Sequence, residues 1–255
     1  MSVVPILCYH AVGDTGGPLA PWAMSTDRFD EHLDALADAG YRPLALDDLV
    51  RWVHEGEQAV PDGALVITVD DGYADVADTI WPRLAERGWP ATLFVTTGFA
   101  GGSFHERPML APAQVHELSA AGLGIGAHGH THVALDAVGP AAARDEIRRS
   151  RDLLEEWTGR TISSFAYPHG FHDRRVRGLV IDAGFTSACA VKQALSSPAD
   201  DRWALARIMP TGDVTAADLV DRLTSLRTPV AVGGREQLRT TAYRVVRRAR
   251  QKVAA

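Results

Sequence analysis

The sequence predicts an α/β fold of parallel strands, either a barrel or a doubly wound sheet, and three observations carry that reading. Strand-like and helix-like segments alternate along the chain with short turns between them. The stretch 64–69, ALVITV, is a six-residue apolar and β-branched run without the polar alternation of a half-exposed strand, which marks a strand covered on both faces. The length of 255 residues suits one α/β barrel, which takes about 200–250. No repeat of 20–50 residues competes with this reading.

In order, the first strand runs from Val3 to Tyr9 and delivers His10 at its end. A helix follows from Ser25 to Ala39, with Ser25 as N-cap, Phe29, Leu33 and Leu36 on one face, and Gly40 as its stop. Asp47 to His54 is a second helix. The strand 64–69 comes next, then a helix from Asp75 to Arg87 that accommodates Pro82 only by kinking or within its first turns. Further strands are expected at Ala91 to Thr97, Leu123 to Ala127, Ile162 to Tyr167, Phe185 to Val191 and Leu205 to Met209. Helices at Pro112 to Ala121, Pro140 to Thr158 and His172 to Ala183 lie between them. Thr215 and Asp218 form a capping box for a helix reaching Leu226. The histidines on predicted helices, His32, His54 and His116, read as solvated.

The domain reading is a barrel over residues 1–227, a linker over 228–234 and a basic helix over 235–255. That tail carries six arginines and one lysine against one glutamate, while the whole chain stands at -6. Its apolar residues Leu238, Ala242, Val245, Ala249 and Val253 fall on one thin stripe at helical spacing. It is expected to pack on the barrel with a solvated basic face; a weak contact with an anionic membrane surface is the sharper alternative. The overall charge argues against nucleic acid as a partner. Cys8 and Cys189 read as buried, reduced packing residues. The first ten residues show no basic leader or signal-like apolar segment, so the expected location is cytoplasmic, peripheral at the inner membrane face if the tail binds lipid.

Two motifs carry chemistry. Asp70 and Asp71 end the strand 64–69 at a glycine turn, at the carboxyl edge where α/β folds place their sites. Alone, such a pair is as readily a solvated turn. The second motif, GAHGHTHVAL at 126–135, follows another buried strand. His128 and His132 are four apart, which on one helical turn points both rings to the same side and lets them share a cation. His130 would point elsewhere and reads as a supporting residue. Two imidazoles need a third ligand, and Asp70 or Asp71 can supply it while its neighbour serves as a general base.

These residues resemble the polysaccharide deacetylases of the NodB-homology type. TVDDG at 68–72 resembles one motif of that family, IGAHGHTHVAL at 125–135 its metal-binding segment, and FAYPHG at 165–170 its third motif. The likeness continues through ILCYH, FDEHLDALADAGY, PATLFVTTG and ALARI, and so spans roughly residues 3 to 210. It implies a distorted (β/α) barrel of seven or eight strands and metal-dependent removal of N-acetyl groups from amino sugars. Carried over residue by residue, it makes Asp71, His128 and His132 the metal ligands and Asp70 the base. Zinc is the expected ion, with iron, cobalt, nickel or manganese as alternatives. The third motif puts Tyr167, Pro168, His169 and Gly170 beside the substrate, with the His169 amide facing the oxyanion.

The chain departs from the family pattern twice. No histidine follows His172 to act as the usual late acid; His10 matches the Tyr-His that the poly-N-acetylglucosamine deacetylase-like branch uses instead. Ala166 stands where an arginine usually orients the base, and Arg207 is the candidate replacement from another strand. The alternatives to an N-deacetylase are an O-acetyl esterase with the same site and a barrel that binds sugar or metal without turnover. An acetylated amino sugar is the expected partner.

Overall fold

A computed structural model describes residues 3–56 and 59–232. Six parallel strands follow one another in space in the order of the sequence: β1 (Ile6–Tyr9), β2 (Ala64–Val69), β3 (Thr92–Val95), β4 (Gly124–Ala127), β5 (Ser164–Ala166) and β6 (Ser187–Cys189). A short seventh strand, Arg42–Pro43, pairs with the start of β2. The sheet curls until its edges meet. Between β6 and β1 runs the segment 205–208, joined by the parallel bridges Cys189 to Leu205 and Leu7 to Ile208. This closes the distorted barrel that the family resemblance implies, and decides against the doubly wound sheet that the strand–helix alternation had left open.

The expected last strand is only these two bridges, because its backbone is partly spent elsewhere. Ala206 N–H donates to the buried carboxylate of Asp200 at 2.7 Å, not to a neighbouring strand.

Alternation along each strand sorts residues to two apolar layers. Ile6, Val66, Phe94, Ala166, Cys189 and Leu205 face the interior and pack with Leu46, Leu49 and Val50 of α2 (Leu46–His54), which covers one end of it. Leu7, Tyr9, Leu65, Ile67, Val69, Leu93 and Val95 face outward. Against them pack Phe29, Leu33 and Leu36 of α1 (Thr26–Asp38) and Val115 of α4 (Pro112–Ala120). Ile147 and Leu154 of α5 (Pro140–Thr158), Val176 and Val180 of α6 (Arg174–Asp182) and Leu219 of α7 (Ala216–Thr224) complete that layer. Because β2 is covered on both sides, all six of its residues are buried, as the unbroken apolar run requires.

Several local expectations are corrected. The helix expected from Asp75 to Arg87 is a π-turn, Val76–Ile80, followed by α3 (Trp81–Glu86). Pro82 has no N–H and its ring would strike the carbonyl four residues back; the wider turn places it at the start of a fresh helix. His32 is not solvated but fully buried between α1 and the approach to α7, its Nε2 2.8 Å from the Val214 carbonyl and its Nδ1 3.3 Å from the Tyr9 hydroxyl. His54 is half-buried, while His116 is exposed as expected.

Of the expected linker, Pro229 O accepts from Leu195 N and Ala231 N donates to Leu195 O, so residues 229–231 lie along the barrel body. The expected basic helix falls outside the described residues. Among those described, no helix is long and apolar enough to cross a membrane.

Candidate metal centre and active site

The carboxyl ends of β1, β2 and β4 converge on one point. Asp70 N–H donates to Tyr9 O at 2.9 Å and Thr96 N–H donates to Asp71 O at 3.0 Å, so the turn after β2 is braced from both flanking strands. Asp71 is held at φ 76°, a left-handed conformation that L-residues adopt at a cost of about 1–3 kcal/mol and that clusters at functional sites. His132, at φ 58°, and His169, at φ 60°, share it.

The two histidines of the second motif reach the same place, although not on a helical turn. Residues 128–133 form a loop in which Gly129, at φ 75°, reverses the chain. Even so, the ring centroids of His128 and His132 are 4.9 Å apart. Their Nε2 atoms lie 3.5 and 3.3 Å from Asp71 Oδ1.

The protonation states suit this cluster to a cation. His128 Nδ1 lies 2.8 Å from the Ala166 carbonyl, which can only accept, so this nitrogen carries the ring proton. Burial pulls the His128 pKa down to about 4 and that of His132 down to about 3, so both rings are neutral at ordinary pH. The His128 Nε2 lone pair therefore faces a carboxylate oxygen, acceptor against acceptor. Asp71 Oδ1 is itself buried with no hydrogen-bond partner. A divalent cation among Asp71, His128 and His132, whose ligand atoms all lie within 4.8 Å of one another, would resolve both conflicts. The residues fit such an ion.

Asp70 is set apart by its partner. Arg207, with no exposed surface, grips it through both guanidinium arms, Nη1 to Oδ1 at 2.6 Å and Nη2 to Oδ2 at 2.7 Å. Nη1 also donates to Thr68 Oγ1 and Nε to Ala190 O, both at 3.1 Å. Burial raises the Asp70 pKa, but the Arg207 charge outweighs it and holds the carboxyl well below the usual range. Phe94 lies beneath the guanidinium, 5.5 Å from ring centroid to Cζ. The arginine that the third motif lacks at Ala166 is thus replaced in space by Arg207, from the segment that closes the barrel. Asp70 Oδ2 is the oxygen turned toward the Asp71, His128 and His132 cluster, 3.8 Å from His128 Nε2.

His10 stands at the end of β1, with a ring nitrogen, Cys8 Sγ and an Asp70 oxygen all within 4.8 Å of one another. Its Nδ1 is buried without a hydrogen-bond partner. The third motif forms a 3₁₀ turn, Pro168–Gly170. Tyr167 serves as framework, its hydroxyl donating to Trp203 O at 2.8 Å and its ring stacked on His172 at 4.6 Å. Gly170, at φ 73°, has no room for a side chain, since a Cβ would meet Val191 N at 2.7 Å. His169 is exposed, and its ring sits 4.5 Å from that of His132. His130 is a supporting residue, its Nδ1 paired with Thr97 Oγ1 at 2.9 Å.

Several residues of this site were not singled out from sequence. The Cys8 thiol donates to Asp70 Oδ2 at 3.3 Å, and Thr68 links Arg207 to the Leu7 carbonyl. Both stand two positions before a site residue on the same strand, so the two-residue alternation was a signal that could have found them. Tyr73 is buried beside Asp71, and Phe104, on the hairpin Ser103–Phe104 and Arg107–Pro108, puts its ring 5.3 Å from His132. Neither carries a spacing that marks it.

Known proteins share the family and the fold of this chain. Residues 57–188 match the polysaccharide deacetylase family profile, a span that includes Asp70, Asp71, His128, His132 and the third motif but neither His10 nor Arg207. The Bacillus subtilis protein YxkH, placed among the polysaccharide deacetylases, is 23% identical over 205 residues, covering 80% of this chain and 70% of that protein. The poly-β-1,6-N-acetyl-D-glucosamine N-deacetylase of Escherichia coli is 29% identical over 85 residues, a third of this chain and 12% of that protein. Among solved structures, the Streptococcus pyogenes deacetylase PplD superposes with a TM-score of 0.77 at 23% identity, over 87% of this chain and 98% of that one. With more than half of its length under the family profile and its barrel shared with PplD, the chain belongs to the polysaccharide deacetylase family.

Proposed function

We propose that this family member is a metal-dependent N-deacetylase that removes the acetyl group from an amino sugar. The observation that carries the reading is the pairing of a lone-pair-rich His128, His132 and Asp71 cluster with a separate carboxylate, Asp70, locked in its charged state by Arg207. The short alignment to an N-acetylglucosamine N-deacetylase supports the amide substrate.

His128, His132 and Asp71 would hold the cation, with zinc the default for two imidazoles and one carboxylate. When bound, such an ion polarises the acetyl carbonyl and lowers the pKa of water. The remaining work falls to the chain's own groups. Asp70 Oδ2, facing the ligands, accepts the proton of the attacking water. Its depressed basicity keeps it ionised and ready, while the Arg207 fork fixes its direction. The backbone amide at His169 donates to the carbonyl oxygen as charge gathers there. His10 gives its proton to the amine nitrogen as the C–N bond breaks, which releases acetate and the free amino sugar.

Assays of the purified protein on N-acetyl and O-acetyl sugars, with and without chelator, test this directly. The reading expects chelator-sensitive release of acetate from the N-acetyl substrate. Release from O-acetyl sugars alone would make the protein an esterase, and no release from either would leave a binding barrel.

A further inference from the structure

The loop that carries His132 is held from outside the barrel by a single carboxylate. Glu146, on α5, accepts at Oε2 from two consecutive backbone amides, His130 N at 2.8 Å and Thr131 N at 2.7 Å, and at Oε1 from Thr131 Oγ1 at 2.6 Å. Two successive N–H groups converging on one anion form a concave backbone cradle, and charge-assisted bonds of this kind are about twice as strong as neutral ones. On the opposite side of the loop, Gly98 N–H donates to His130 O at 2.7 Å and Thr97 Oγ1 pairs with the His130 ring at 2.9 Å. The 98 position admits no side chain, because a Cβ there would meet His130 O at 2.5 Å. Residues 130 and 131 are thus clamped between α5 and the loop after β3, and the next residue is His132 in its left-handed conformation.

His128 needs no such clamp. Its backbone N–H is tied to β3 through Val95 O and its ring to Ala166 O. Among the described residues nothing comparable from the sheet reaches His132, which lies five residues beyond the end of β4. Left unsupported, a left-handed histidine would relax toward an ordinary backbone conformation and carry its ring away from Asp71.

We infer that Glu146 is a positioning residue of the metal centre: by accepting from His130 N, Thr131 N and Thr131 Oγ1 it imposes the backbone conformation that aims the His132 Nε2 at Asp71, and so sets metal affinity. The inference rests on the reading of Asp71, His128 and His132 as ligands. Glutamine at 146 is near-isosteric but offers one accepting oxygen and turns an NH2 toward donors, so it cannot replace the three-bond clamp.

The test is zinc affinity of the stripped full-length protein, measured by competition with a chromophoric chelator, together with thermal unfolding of the same metal-free samples. Glu146→Gln should bind zinc about 10–100-fold more weakly, the usual effect of removing a partner that orients a ligand, with metal-free unfolding near that of wild type. Glu156→Gln, an exposed glutamate on the same helix, should match wild type in both measurements. Should Glu146→Gln lower the metal-free unfolding temperature substantially, Thr131→Ala decides the matter. That exposed substitution removes only one of the three bonds, and a few-fold weaker affinity supports the clamp while an unchanged affinity overturns it. Wild-type affinity in Glu146→Gln overturns this inference alone; a wild-type protein that binds no zinc overturns the metal-centre reading with it.

Discussion

Asp70 is ionised at ordinary pH because Arg207 keeps it so, and that single contact determines how its base should behave. Replacing Arg207 with methionine leaves a buried carboxylate without its counter-charge, which costs about 3–5 kcal/mol where one partner of a buried pair is removed. Without the guanidinium, burial alone pushes the Asp70 pKa upward. The acid limb of the kcat/KM profile should therefore move to higher pH in Arg207→Met, and an unmoved limb would exclude Arg207 as the group that holds the base ionised. Asp70→Asn should keep the fold and the bound metal while lowering turnover by about 10²–10⁴-fold, the usual contribution of a general base. Asp71→Ala, in contrast, should lose the metal, and full zinc occupancy in that variant would remove Asp71 from the ligand set.

The buried histidines add a pH dependence of stability. His128 and His132 are held to about 4 and about 3, below the ordinary 6.5, first by desolvation. The unfolded chain therefore binds more protons than the native one in that window. Their contribution is complete above about pH 6.5 and is lost as pH falls toward the folded values, at up to about 1.4 kcal/mol per unit for each ring. Urea midpoints of the metal-free protein should drop between pH 7.5 and pH 5. A flat response would mean that the rings are not buried neutral.

At the scale of elements, the site depends on how tightly the barrel interior is filled. Gly126 on β4 faces Phe94, whose ring atoms a Cβ at position 126 would meet at 2.5 Å, with Ser164 Oγ at 2.8 Å. Phe94 in turn underlies Arg207. Gly126→Ala should then cost about 1–3 kcal/mol of overpacking, read as a lower unfolding temperature. It should also disturb the Arg207 to Asp70 pair, lowering kcat more than a surface alanine does. The strands, most helices and the caps at Ser25 and Thr215 were legible because each is written within a dozen neighbouring residues. The closing segment 205–208 was read as a strand, although it pairs only through two bridges, while the strand at Arg42–Pro43 was not read at all, since a two-residue pairing has no periodicity of its own and exists only where a neighbour offers its edge.

For the whole molecule, the proposed metal site couples ion binding to the fold. The three ligand side chains come from the ends of β2 and β4 and from the loop beyond β4, so the site exists only in the closed barrel. A ligand that binds only the native state stabilises it by about 2.7 kcal/mol at one hundred times its Kd. Zinc should therefore raise the unfolding temperature of the wild-type protein and leave that of Asp71→Ala unchanged. An equal rise in both would place the ion elsewhere.

What the sequence determined by itself is the chemistry written in short runs. The alternation of strands and helices, the paired aspartates after a buried strand and the His-x-x-x-His after another are each contiguous, and their residue types limit what they can do. What only the tertiary structure decided is which distant groups meet them. Arg207 lies 137 residues from Asp70, and Glu146 belongs to a helix whose sequence looks like any amphipathic surface. His32 falls on the same stripe of α1 as Phe29, Leu33 and Leu36, but the groups that satisfy its buried ring, the Tyr9 hydroxyl and the Val214 carbonyl, come from distant segments. Burial, counter-charge and orientation are properties of the neighbours that folding supplies, and no window of sequence contains them.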